Sequence, residues 1–333
     1  MLTNFIDVGI VGTGSYLPKR IMTNKDMEQI VETSDEWIRT RTGIEERRVL
    51  EDELATSDMA TEAARIALED AKLSAEDIDL IIVGTCTPDM PFPATACIVQ
   101  ANLGAKKAAA FDVETACSGF LYALTIGEQF IKTGFYKNVL VIGAETLTRI
   151  LDWKDRNTCV IFGDGAGAVV LQGVDKGYGI LSSHLGADGA NGGFLTQPAG
   201  GARMPATLET VENRLHTIQM DGSEVFKFAV RAMGKASMKV LEDSNLSLED
   251  IDLLIPHQAN VRIIDAAAKR LKLTDDKVYV NLNRVGNMSA ASVPVALDEA
   301  NKKGLIKKGD IVLLVAFGGG LTWGSSIMRW AKQ

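Results

Sequence analysis

The chain of 333 residues has 46% hydrophobic and 23% charged side chains and a net charge of −8, a globular composition with room for about two domains at ~150 residues each. This excludes a disordered or fibrous chain, and the acidic balance argues against non-specific nucleic-acid binding. The longest apolar runs, such as Ile311–Phe317, fall short of the ~18 residues a membrane span needs.

In chain order the pattern predicts strands at Val8–Val11, Leu80–Val83, Ala108–Val113, Val139–Ile142 and Ala168–Leu171. Helices are predicted between them at Ser57–Ala71, Thr95–Leu103 and Ser118–Thr133, and again at Val225–Ser244, Arg262–Leu271 and Ala291–Lys302. The first residues show no basic region followed by a cleavable apolar stretch. Four scattered cysteines and three histidines support neither a disulfide framework nor a zinc site, so a cytosolic compartment is expected.

The chain reads as a duplication. Leu73–Gly84 and Leu246–His257 share eight of twelve residues at an offset of 173 (Leu73 to Leu246), and the same offset carries Val139–Gly143 onto Val312–Ala316 and Val8–Val11 onto Leu181–His184. Two copies of one unit, 1–175 and 176–333, are expected to join near Asp175–Gly177. Alternating strands and helices imply α/β layers with mixed sheets, and the site is expected where the halves meet.

The glycines tempt first. Gly12-Thr13-Gly14 follows a strand, but the third glycine of a dinucleotide loop is missing and Pro18 stands where a helix should propagate. Gly163-Asp-Gly-Ala-Gly precedes a predicted strand and reads as tight turns and close packing.

Cys117 lies where a strand ends and a helical pattern begins, at the positive end of a helix dipole that favours a thiolate. The dipole supplies ~1 kcal/mol against ~1.4 kcal/mol per pKa unit, so a partner base is wanted; a small buried hydrophobe is the other reading, and it suits Cys86, Cys97 and Cys159. His257 occupies a second strand-to-helix junction and can be that partner, whereas His184 and His216 lack such a setting. Asn287 stands at a further junction, followed by small residues. Gly318-Gly-Gly320 after the last apolar strand exposes backbone N–H groups of the kind an oxyanion hole needs.

The motifs Thr33-Ser-Asp-Glu-Trp-Ile, Thr115-Ala-Cys-Ser-Gly, Gly163-Asp-Gly-Ala-Gly-Ala, His257-Gln-Ala-Asn, Gly286-Asn-Met-Ser-Ala-Ala-Ser and Gly318-Gly-Gly-Leu-Thr-Trp-Gly fall in order over nearly the whole chain. Together they resemble the β-ketoacyl-acyl-carrier-protein synthase III family of the thiolase superfamily. The resemblance implies a thiolase-like duplicated αβαβα five-layer fold with two mixed sheets. It also implies a decarboxylative condensation of an acyl-CoA primer with malonyl-acyl-carrier protein, by a ping-pong route through acyl-Cys117, that initiates fatty acid biosynthesis. No cofactor is implied beyond the coenzyme A thioesters used as substrates.

By the same resemblance, His257 and Asn287 handle the malonyl thioester, and Gly319 with the N–H of Cys117 forms the first oxyanion hole. Thr33, Trp37, Arg41, Arg156 and Asn260 match coenzyme A contacts, and Phe92 matches a residue inserted into the acyl pocket of the partner in a homodimer. Met288 departs from the family's usual threonine beside the asparagine. The basic positions Lys227, Arg231, Lys235 and Lys239 recur every four residues along one predicted helix. With Arg262, Lys269, Arg270 and Lys272 they are candidates for docking an acidic carrier protein; Lys227, Arg262, Lys269 and Arg270 are the docking set. The competing enzyme reading is a related Cys-His-Asn condensing enzyme of secondary metabolism using a longer acyl-CoA. A degradative thiolase would carry a second cysteine near the C-terminal glycine loop, and a dead scaffold would not keep the Cys-His-Asn set.

Overall fold

In a computed structural model, which describes residues 5–332, two sheets alternate with three helical layers. The first sheet contains β1 (Val8–Tyr16), β2 (Leu80–Gly84), β3 (Ala109–Val113), β4 (Val139–Thr146) and β5 (Asp164–Gly173), in the order β1-β5-β4-β2-β3. The second contains β6 (Gly179–Ala187), β7 (Leu253–Pro256), β8 (Ile311–Gly318) and β9 (Thr322–Arg329), in the order β7-β8-β9-β6. Both are mixed: β4 pairs parallel with β2 and antiparallel with β5, and β8 pairs parallel with β7 and antiparallel with β9. β4 and β8 lie inside their sheets and are buried along their whole length, which explains their continuous apolar runs.

The helices that matter here are α1 (Asp35–Thr42), α2 (Thr56–Ala71), α3 (Thr95–Leu103), α4 (Gly119–Lys132), α5 (Gly222–Asp243), α6 (Val261–Arg270) and α7 (Ser292–Lys302). Phe120, Leu121 and Leu124 of α4 and Val293, Ala296 and Leu297 of α7 share one core with both sheets, so these two helices form the middle layer. α2 and α3 cover the outside of the first sheet, and α5 and α6 the outside of the second. The layer order is αβαβα.

The 173-residue offset survives in three dimensions. It carries β2 onto β7, the helical turn Ala116–Ser118 onto the turn Ser289–Ala291, and the start of α4 onto the start of α7. Ala116 and Ser289, at matching places, both adopt φ of 45°. The halves differ at one edge: the counterpart of β3 is reduced to a single bridge between Leu254 and Val278. The Oε1 of Gln258 accepts the N–H groups of Asn281 and Leu282 there, so those groups enter no ladder and the chain turns into the short helix Leu282–Val285.

One reading of the glycines changes. Gly163-Asp-Gly-Ala-Gly is not a series of tight turns: from Asp164 it is strand β5, antiparallel to both β1 and β4. Its glycines answer to close packing, since a Cβ on Gly165 would stand 2.6 Å from Met288 Sδ and one on Gly167 2.6 Å from Val295 N. The same holds for Gly12 and Gly14, where backbone atoms of Ala63, Ala67 and Ala71 of α2 occupy the space of a Cβ. The alanine row of α2 and the glycines of β1 let helix and strand backbones touch, and no helix follows β1. Gly14→Ala is expected to destabilise the protein by about 1–3 kcal/mol through overpacking, read as a lower urea midpoint with unchanged m-value.

Candidate active site

Cys117, His257 and Asn287 line one cavity of about 1180 Å³ between the halves. Each is delivered by a chain reversal. Cys117 sits in the helical turn between β3 and α4, one residue before the cap of α4. His257 follows β7 directly, its N–H donating to Val315 O of β8 at 2.8 Å. Asn287 follows the helical turn Leu282–Val285 instead of a strand, and is held by a bridge to Phe162. Ser289 N–H donates to its Oδ1 at 2.8 Å, which leaves Nδ2 as the group presented to a ligand. Met288, fully buried among Val285, Ala291, Val295 and Leu17, points into packing and away from chemistry.

Burial dominates the electrostatics. Cys117 is 7% exposed, and burial pushes its thiol up to about 12, with Glu145 and Glu114 raising it further. The helix dipole therefore loses to desolvation, and the resting side chain is a thiol. His257 is 1% exposed and burial pushes it down to about 3, so the ring is neutral at every ordinary pH. It packs edge-on to Phe317, with centroids 5.5 Å apart, and neither ring nitrogen has a hydrogen-bond partner among the described residues. A neutral thiol and a neutral imidazole share the cavity.

The glycine loop presses on the Cys117 turn. A Cβ on Gly318 would stand 2.6 Å from Cys117 N, and one on Gly319 3.4 Å from the Ala116 Cβ. Beyond Cys117 a second cavity, of about 570 Å³, is lined by Cys86, Leu147, Ile150, Phe162, Ile218 and Gly319 among others. Phe92 lines neither cavity of its own chain and is 84% exposed, on the loop between β2 and α3.

At the other end, α1 and α6 frame the mouth. Trp37 stacks under two guanidinium groups, with Arg41 Cζ 5.0 Å and Arg156 Cζ 5.2 Å from its ring centroid, a platform of cationic and aromatic character. Trp37, Arg41 and Asn260 line the cavity; Thr33 and Arg156 do not, and the Thr33 hydroxyl is buried without a partner among the described residues. Asn260 spends its amide on architecture: Oδ1 caps α6 at Arg262 N (2.9 Å), and Nδ2 donates to Arg41 O (2.9 Å). Lys227 and Arg262 also line the mouth, Arg262 lying 5.3 Å over the Phe226 ring and Lys227 paired to Glu224 at 2.6 Å. Lys269 and Arg270 are exposed farther along α6, Arg270 lying across Gly234 of α5. Arg231 and Lys235 are exposed on α5, while Lys239 is tied to Asp243.

The residue that sequence reasoning passed over is Glu145, a wholly buried carboxylate behind Cys117. An acidic residue inside the otherwise apolar run Val139–Thr146 was its only signal.

No helix among the described residues is long and apolar enough to cross a membrane. The model of the family 3-oxoacyl-[acyl-carrier-protein] synthase III matches residues 111–189, and that of its C-terminal part matches 241–330. The chain is 67% identical to a β-ketoacyl-[acyl-carrier-protein] synthase III of Caldanaerobacter subterraneus subsp. tengcongensis over 98% of this chain and 99% of the relative. The crystal structure of 3-oxoacyl-[acyl-carrier-protein] synthase III from Aquifex aeolicus is similar at 51% identity and TM-score 0.90, covering 97% of this chain and 100% of that one. The priming β-ketosynthase of the R1128 polyketide pathway is similar at 33% identity and TM-score 0.91, covering 99% and 98%.

The depressed His257 pKa sets a pH dependence. Between about 3 in the folded chain and ~6.5 in the unfolded one, the unfolded state binds one proton more. Stability is therefore present above the unfolded value and lost as pH falls through that window. His257→Gln removes this contribution, so the urea midpoint of the variant should fall less steeply between pH 6.5 and 4.5 than that of the unaltered protein.

Proposed function

The chain belongs to the 3-oxoacyl-[acyl-carrier-protein] synthase III family, and from that premise we propose that Cys117, His257 and Asn287 carry its chemistry. The enzyme condenses an acyl-CoA primer with malonyl-acyl-carrier protein, releasing CoA and CO2, and so begins a fatty acid chain. The similarity to named synthases at 67% identity, against 33% to the polyketide priming enzyme, favours this reading over a condensing enzyme of secondary metabolism. The observation that carries the residue roles is the meeting of the three side chains at one cavity with a cationic, aromatic mouth.

Cys117 attacks the acyl thioester; the tetrahedral oxyanion meets the N–H groups of Cys117 and Gly319, each such donor being worth about 3 kcal/mol. The thiol proton leaves with the CoA sulfur, and the acyl group stays on Cys117. Malonyl-carrier protein then enters through the mouth at Trp37 and Arg262. Loss of CO2 leaves an enolate whose oxygen is met by His257 Nε2 and Asn287 Nδ2, and its carbon attacks the acyl-Cys117 carbonyl to release product. Burial keeps His257 neutral, so it meets the enolate as a hydrogen-bond donor and leaves no stable imidazolium to trap it. Decarboxylation itself makes the carbanion, so the reading calls for no metal or further cofactor.

Thr33, Trp37, Arg41, Arg156 and Asn260 are assigned to the CoA end. The Trp37 platform suits an adenine ring and phosphates, while Asn260 serves by holding α1 against α6. Lys227, Arg262, Lys269 and Arg270 are assigned to the acidic carrier protein. A homodimer fits the bare Phe92 and the open edge of β3, the last strand of its sheet. The free thiols Cys86, Cys97, Cys117 and Cys159 suit a reducing cytosol.

Mixing the enzyme with acyl-CoA should place the acyl mass on the Cys117 peptide, and Cys117→Ala should abolish it; labelling that persists rejects the nucleophile. His257→Ala and Asn287→Ala should each lower malonyl decarboxylation by about 10²–10³-fold while acyl transfer to Cys117 survives better. Equal loss of both half-reactions rejects the division of roles. Arg262→Glu should raise the KM for malonyl-carrier protein with acylation by acyl-CoA nearly intact, and the defect should shrink at high salt. Unchanged carrier-protein kinetics point docking to another face.

A further inference from the structure

Glu145, near the end of β4, is 0% exposed, and no salt bridge among the described residues reaches it. Donors surround it instead. Thr87 donates through its N–H (3.1 Å) and its hydroxyl (2.5 Å), Cys86 through its N–H (3.2 Å to each oxygen) and its thiol (3.4 Å), and Thr85 through its hydroxyl (3.2 Å). From the other half of the molecule, Ser289 donates through its hydroxyl at 2.9 Å, and Ala290 N–H lies 3.5 Å from the same oxygen. Backbone N–H groups, which can only donate, reach both carboxyl oxygens; that is the setting of an ionised, acceptor-only carboxylate. Burial raises its pKa, and the bonds from Thr87, Ser289 and Cys86 act the other way.

One of these donors belongs to a residue that sets a candidate reactive group: the hydroxyl of Ser289 meets Glu145, and the backbone N–H of the same residue sets the Asn287 amide. One residue thus joins the carboxylate to that amide. The duplication shows what is special about this. The offset that relates the turn Ala116–Ser118 to Ser289–Ala291 relates Glu145 to Gly318. Against the first turn the strand end presents a hydrogen atom, because nothing larger fits beside Cys117 N; against the second it presents a carboxylate.

We propose that Glu145 is a positioning residue acting through Ser289: its carboxylate anchors the turn that orients the Asn287 amide. The inference rests on the reading of Asn287 as a donor to the enolate oxygen.

The test uses the full-length enzyme and follows malonyl decarboxylation. Glu145→Ala removes the anchor and should cut kcat at least tenfold with little change in KM, because the amide is misaimed while the mouth is untouched. Should that variant not fold, Ser289→Ala carries the same arm, since it deletes the hydroxyl and keeps the N–H to Asn287; a several-fold loss of decarboxylation is expected. Undiminished decarboxylation in the anchor variants overturns the proposal. Undiminished decarboxylation in Asn287→Ala would instead reject the role of Asn287 on which it rests, so the two failures are told apart.

Discussion

Three backbone contacts that only glycine permits hold this molecule together at its centre. Gly84 of β2 meets Gly119 at the start of α4, Gly143 of β4 meets the Ala290 carbonyl, and Gly318 of β8 meets the Cys117 amide. A Cβ at any of them would have to stand inside 3 Å of main-chain atoms. Backbones in such contact cannot slide, so the Cys117 turn, the Asn287 turn and the strand ends share one rigid frame. The middle helix layer is buried on both sides for the same reason: α4 and α7 begin at these two turns and are clasped between the sheets.

That frame explains the electrostatics. Placing the turns at the centre of a five-layer body removes water from Cys117, His257 and Glu145 at once. Desolvation then outweighs the helix dipole, which is worth ~1 kcal/mol, and leaves a neutral thiol and a neutral imidazole in one cavity. The buried Glu145 carboxyl is tolerated because backbone and hydroxyl donors replace its hydration. Arg47 is handled likewise: wholly buried, it gives its guanidinium to the carbonyls of Met22 and Val160 and to Asn24, and burial lowers it to about 10. It ties the antiparallel strand pair Arg20–Thr23 and Glu46–Val49 to the cavity lining at Val160–Phe162.

Duplication supplied two equivalent turns, and chemistry came from making them unequal. One kept the cysteine against a glycine; the other kept a small residue and gained a carboxylate behind it. The strand ends diverged too, since His257 stands at the place that Gly84 holds in the first half. A mouth at α1 and α6 and a second, apolar cavity behind Cys117 then give the two ends of a thioester different surroundings.

By itself the sequence determined the duplication, most of the strands and helices, and the choice of Cys117, His257 and Asn287, which the fold brings to one cavity. Buried strands appear as apolar runs, helix faces as 3.6-residue periods, and motifs as fixed local spacings. These signals are local, or repeat at one offset. Of the two roles read for Gly163–Gly167, close packing holds and tight turns do not, because glycine's freedom and glycine's smallness look alike in a sequence; only the neighbour across the layer tells which is used. It expected the helix dipole to favour a Cys117 thiolate, because depth of burial is a property of the assembled layers. Glu145 was overlooked for the same reason, its meaning lying in Ser289, 144 residues away. Charge states and pairings of this kind are decided by which segments meet and how much water they exclude, and those belong to tertiary structure alone.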